Sequence, residues 1–131
     1  MARQAALPAA KSHAVDFDAT LAKYDGFKGP FVLGEPIPAM VARVKRWLQE
    51  GDEVVLFTAR VCCDDQPALK MQIILLLQQW CERHLGRALE VTDRKHRRFT
   101  DFWDDRNVAI EANTGKLLCD PQTNGDDQHG A

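Results

Sequence analysis

Three groups of polar residues interrupt apolar runs in this chain, each where a strand would end. Asp16, Asp18 and Thr20 close the run that begins at His13; Thr58 and Arg60 follow residues 54–57; Asp104, Asp105 and Arg106 follow residues 99–103. Two carboxylates at the end of a buried strand are costly to leave unpaired. A divalent cation removes that cost, and hard carboxylate oxygens suit magnesium. The plainer alternative for Asp16 and Asp18 is one helix-capping acid and one solvated acid. Thr58 can cap its own turn, and Arg60 can fork onto a phosphate or lie in solvent. Asp104 and Asp105 either complete the acid group or pair at the surface with Arg106. Between the last two groups stands a basic cluster, Arg94, Lys95, His96, Arg97 and Arg98, a pattern that on charge alone reads as a solvated face.

The elements around these residues alternate in type. Val15 and Phe17 bracket Asp16 with strand-forming side chains, so residues 13–17 read as a buried strand. If it stops near Phe17 the chain turns, and Asp16 and Asp18 can converge; if it continues, they share one face. Residues 22–36 hold three Gly and two Pro among Tyr24, Phe27 and Phe31, a density of turn formers that predicts a long loop. Pro38 opens a helix whose apolar positions are Met40, Val41, Val44, Trp47 and Leu48, and Gly51 ends it. The continuous apolar run 54–57 predicts a strand covered on both faces. Pro67 starts a second helix that runs to about Leu85, with Gly86 as its stop. Residues 88–91, 99–103 and 108–112 are three further candidate strands, the last followed by a turn at 113–115 and a short extension to Leu118. Strand, helix, strand at these lengths implies right-handed parallel crossovers. The expected fold is therefore α/β, a three-layer α/β/α Rossmann-like domain with a central parallel sheet. Residues 1–12 read as a flexible arm, 13–119 as one domain, and 120–131 as a flexible polar tail.

With 131 residues and a net charge of −2, the chain has the length of one domain and lacks the basic field that would advertise long nucleic acid. No apolar run approaches bilayer length, and the first residues lack a signal-peptide core. The expected compartment is the cytoplasm, with no membrane partner; an oligomer is compatible with the sequence but unsupported by it. Cys62, Cys63, Cys81 and Cys119 match no zinc spacing and read as reduced thiols.

The order of these motifs resembles the haloacid dehalogenase-like phosphohydrolase superfamily. Its first motif, Asp-x-Asp-x-Thr after a hydrophobic strand, is matched by Asp16, Asp18 and Thr20, with Ala19 where many members carry Gly. Its second, a strand-terminal Thr or Ser, is matched by Thr58; its third, a Lys, by Lys95; its fourth, paired acids at a strand end, by Asp104 and Asp105. There is no room for an inserted cap, so the chain looks like a capless member. The runs 33–38, 57–60 and 103–106 are similar to the phosphatase part of polynucleotide kinase-phosphatases.

The resemblance implies a magnesium-dependent phosphatase working through an aspartyl-phosphate. Asp16 would be the nucleophile and Asp18 the general acid and base. Thr58 and Lys95 would hold the phosphoryl oxygens. Magnesium would be bound by Asp16, the Asp18 backbone carbonyl, and Asp104 or Asp105. Thr20, Arg60 and Arg106 would meet the substrate, a nucleotide or a nucleic-acid end. In an open site of this kind Tyr24, Phe27 or Phe31 would stack on a base, and Arg60, Arg94, Arg97, Arg98 and Arg106 would hold neighbouring phosphates. Two other classes remain open: a phosphotransferase to an acceptor other than water, and a phosphate- and magnesium-binding module with weak turnover.

Overall fold

The computed structural model describes residues 10–118. Four strands form one parallel sheet: β1 (Ser12–Val15), β2 (Glu53–Phe57), β3 (Glu90–Thr92) and β4 (Asp101–Trp103), in the spatial order β3-β2-β1-β4. Helix α1 (Pro38–Gln49) joins β1 to β2, and helix α2 (Pro67–Leu85) joins β2 to β3. The helix ends lie where the sequence predicts them. Both helices start on proline, whose missing N–H would be unpaired there in any case. Gly86 caps α2 at φ 90°, and Gly51 follows α1 at φ 92°, a left-handed geometry that glycine enters without steric cost.

This is the α/β Rossmann-like architecture with a central parallel sheet, and its layers are filled unequally. Val15, Val54 and Leu56 pack with Met40, Val44 and Trp47 of α1 and with Ile73, Leu77 and Trp80 of α2 in one apolar core. Both helices therefore lie on one face. The other face, Ala14 and Val55 with Phe57 and Phe102, is covered by Phe99 from the β3–β4 connection. The third layer of the three-layer expectation thus carries no helix among the described residues. The strand order gives the reason. From β1 to β2 to β3 the chain steps in one direction, and right-handed crossovers in one direction stack their helices on one side. The return to β4 crosses the second face in eight residues, 93–100, too few for a crossover helix.

Several expected boundaries move. Ser12, expected in the arm, opens β1 and is buried. β1 stops at Val15, although the Asp16 amide still donates to the Trp103 carbonyl (2.9 Å). The predicted strand at 108–112 does not join the sheet. Those residues form a small exposed hairpin held by one antiparallel bridge, Ile110 to Leu117, with Asn113 and Gly115 in left-handed conformations at its turn. The expected arm at residues 1–9 and the tail at 120–131, with Cys119, fall outside the described residues.

Candidate active site

All four strands are parallel, so their carboxyl ends share one edge of the sheet. β1 lies between β2 and β4, and the helices attached to β1 and β2 leave in one direction only. This is a topological switch point, where open sheets form a crevice. A cavity of about 560 Å³ opens there, lined by Asp16, Asp18, Thr58, Arg60, Asp104, Asp105 and Arg106 among others. That volume lies in the range of small-molecule sites, about 300–1,000 Å³.

Asp16, Asp104 and Asp105 can each bring a carboxylate oxygen within 4.8 Å of the other two. Asp16 follows β1 and the acid pair follows β4, so the hydrogen bonding of the two strands sets their spacing. Thr20 ties them further. Its Oγ1 accepts from the Asp105 amide (3.0 Å) and lies within donating distance of Asp16 Oδ2 (3.3 Å) and Asp105 Oδ1 (3.1 Å). Thr20, expected to meet the substrate, is therefore a clamp between two carboxylates; it has one proton for two acceptors.

Among the described residues, no cationic side chain forms an ion pair with this group, although Arg106 lines the same cavity. Burial raises the Asp16 carboxyl to about 7, with the Asp104 charge next in importance and Asp105 adding to it, against a smaller lowering by the Phe17 amide. Three hard oxygen donors crowded until one resists ionisation fit a magnesium ion in the chemistry of the donor set. The Asp18 side chain is not one of them. The chain turns after Asp16, but the Asp18 carboxylate is held by a fork from Arg60, Nε to Oδ2 at 2.7 Å and Nη2 to Oδ1 at 2.9 Å. Arg60, expected to bind substrate phosphate, is thus already paired.

Thr58 is buried at the end of β2. Its Oγ1 accepts from the Arg60 amide (3.2 Å) and so caps the 3₁₀ turn Ala59–Val61, while its side chain borders the cavity. The capping role considered from sequence and the cavity position coexist. Lys95 forms no ion pair with the acids but lines a cavity with Asp104. Its ammonium lies 5.0 Å from the Phe102 ring centroid, in a neighbouring cavity of about 340 Å³ that shares Phe57 and Asp104 with the first. The physical reason is the one-sided layering: the connection that carries Lys95 covers the second face of the sheet. Tyr24 and Phe27 border the acid cavity, whereas Phe31 lines a separate one beside Trp80 and His84.

One acidic cavity residue escapes sequence reasoning. Asp93 directly follows β3, the same strand-end signal that marks Asp16 and Asp104, but it was masked by the basic cluster it introduces. Cys62 faces Asp93, and burial followed by that carboxylate pushes its thiol above the ordinary range. Cys62, Cys63 and Cys81 are all free.

No family model matches the chain, and no curated protein matches it. Among solved structures it is similar to a conserved protein from Bacteroides thetaiotaomicron at 28% identity, with a TM-score of 0.51, over 76% of this chain and 79% of that one. That likeness supports the α/β fold. No helix among the described residues is long and apolar enough to cross a membrane.

Proposed function

We propose that this chain is a phosphatase of the haloacid dehalogenase-like kind, hydrolysing phosphomonoesters with magnesium through an aspartyl-phosphate on Asp16. One observation carries the reading: Asp16, Asp104 and Asp105 converge within 4.8 Å at the carboxyl edge of a parallel sheet, with no ion pair to a cationic side chain among the described residues. Held by these three carboxylates, a magnesium ion would supply the positive charge that keeps Asp16 ionised and screens an incoming phosphate.

The chain's own residues do the rest. An Asp16 oxygen attacks phosphorus, and the bond to the ester oxygen breaks. Asp18 lines the same cavity; released from the Arg60 fork and protonated from solvent, it would give that oxygen a proton and later take one from the water that cleaves the acyl phosphate. Thr58 offers its hydroxyl to a phosphoryl oxygen from the end of β2. Arg106 borders the cavity with its side chain, and its amide fixes Asp104 at 2.9 Å. Lys95, which shares a neighbouring cavity with Asp104, is the residue that would neutralise a phosphoryl oxygen from that side.

The substrate we favour is a nucleotide or a nucleic-acid end. No cap domain covers the cavity among the described residues, and Tyr24 and Phe27 at its rim offer faces for a base. The test is hydrolysis of an aryl phosphate, a nucleotide, a 3′-phosphorylated oligonucleotide and several sugar phosphates, each with magnesium and after chelation. Turnover that needs magnesium supports the reading, and full activity after chelation refutes it. Products formed with added alcohols separate hydrolysis from transfer.

A further inference from the structure

The loop over the site is secured in two different ways along its length. Its base is welded to the body: the Lys23 amide donates to the Glu35 carbonyl (2.8 Å), the Ile37 amide to the Leu21 carbonyl (2.9 Å), and Trp80 Nε1 to the Gly34 carbonyl (2.9 Å). Gly34 belongs to that weld, because a Cβ there would stand 1.8 Å from the Lys23 carbonyl oxygen. The tip is different. Gly26 and Gly29 hold left-handed conformations, and Phe27, Phe31 and Val32 are largely exposed. The hydrogen bonds that reach the tip from the body come from Arg60, with Nη1 to the Pro30 carbonyl (3.4 Å) and Nη2 to the Val32 carbonyl (3.0 Å).

The same guanidinium grips both oxygens of Asp18 and lies over the Phe17 ring, 5.7 Å from its centroid. Its side chain is 8% exposed, so it is packed in place. We propose that Arg60 is a positioning residue that couples the tip of the 22–36 loop to the Asp18 carboxylate. While Asp18 is held, the fork is fixed and the tip is drawn over the cavity. When Asp18 turns away, the guanidinium loses its charged anchor, and its hold on two neutral carbonyls weakens. The proposal rests on the phosphatase reading only in giving Asp18 a reason to move.

Trypsin cleavage of the substrate-free chain after Lys28, in the loop tip, tests it without reference to turnover. In Arg60→Met that cut should come about tenfold faster, with cuts within α2 unchanged. Asp18→Asn should speed the same cut, and the double variant should add little to either single change, because one linkage has been cut twice. Arg60→Lys should not rescue the loop, since one ammonium cannot span a carboxylate and two carbonyls; in an active enzyme it should lower kcat with little change in KM. Arg87→Met, an exposed residue away from the site, is the control. An unchanged rate after Lys28, additive effects in the double variant, or full rescue by Lys would each overturn the coupling. Should Arg60→Met not fold, Asp18→Asn alone decides: a cut after Lys28 at the wild-type rate refutes the proposal. A chain that hydrolyses nothing yet shows this pattern would lose the phosphatase reading and keep the coupling.

Discussion

A titratable residue stands near each end of β1, His13 within it and Asp16 just after it, and the two ends treat carboxylates in opposite ways. At its amino end His13 is buried between two acids, Nδ1 at 2.7 Å from Asp101 and Nε2 at 2.8 Å from Asp52, with its ring stacked on Trp47 at 3.9 Å. Both ring nitrogens face carboxylate oxygens. Asp52 is correspondingly held below the usual carboxylate range, chiefly by its hydrogen bond from His13. At the carboxyl end Asp16 meets Asp104 and Asp105 with only a hydroxyl between them, and its carboxyl is pushed up to about 7. β4 supplies Asp101 to the first group and leads into Asp104 and Asp105 of the second, whereas Asp52 stands just before β2. Where the His13 ring stands between them, the acids tie neighbouring elements together. Where only a hydroxyl stands between them, they form, on the proposed reading, a site for a metal ion.

The contrast breaks most sharply at Asp16. Asp16→Asn should reduce hydrolysis of an aryl phosphate by at least about a thousandfold, since an amide cannot serve as the nucleophile, while circular dichroism shows a folded chain. Near-normal turnover in the folded variant would make the carboxyl-end group structural, like its counterpart.

At the other end the expected loss is one of stability. His13→Ala removes a packed ring and strips two acids of their partner, and should cost about 3 kcal/mol in denaturant unfolding. A loss near zero would mean that the amino-end acids need no ring between them.

A pH series sharpens the comparison. The folded chain keeps the Asp16 proton up to about 7, whereas the unfolded chain gives it up near 3.8. The folded state therefore binds more protons in that window, and the Asp16 contribution to stability declines as pH rises through it. Chelated wild type should lose melting temperature between about pH 4 and 7 relative to Asp16→Asn, and magnesium at pH 8 should restore it by mass action. Parallel curves for the two proteins would remove the crowding argument.

The smallest effect is at Ala19, which holds φ 69° beside the acid group. Ala19→Gly relieves left-handed strain at some cost in unfolded-state entropy, and should stabilise the chain by about 0.5–1 kcal/mol in chemical unfolding. Destabilisation would mean that the alanine methyl group packs usefully.

What the sequence by itself determined is local. Pro38, Gly51, Pro67 and Gly86 bound the helices because backbone geometry acts over a few residues, and apolar runs ending in Asp16, Thr58 and Asp104 mark strand ends that a parallel sheet must bring to one edge. Tertiary structure decided the pairings. Arg60 reaches Asp18 across 42 positions, Thr20 reaches Asp105 across 85, and His13 reaches Asp101 across 88; none of these leaves a periodic trace. Lys95 shows the limit most plainly. Its place between strands matched a motif, yet its ammonium lies over Phe102 because the chain returns across the second face of the sheet. Sequence spacing places a residue at a strand end, but the direction in which its side chain is spent depends on partners that only the assembled sheet brings near.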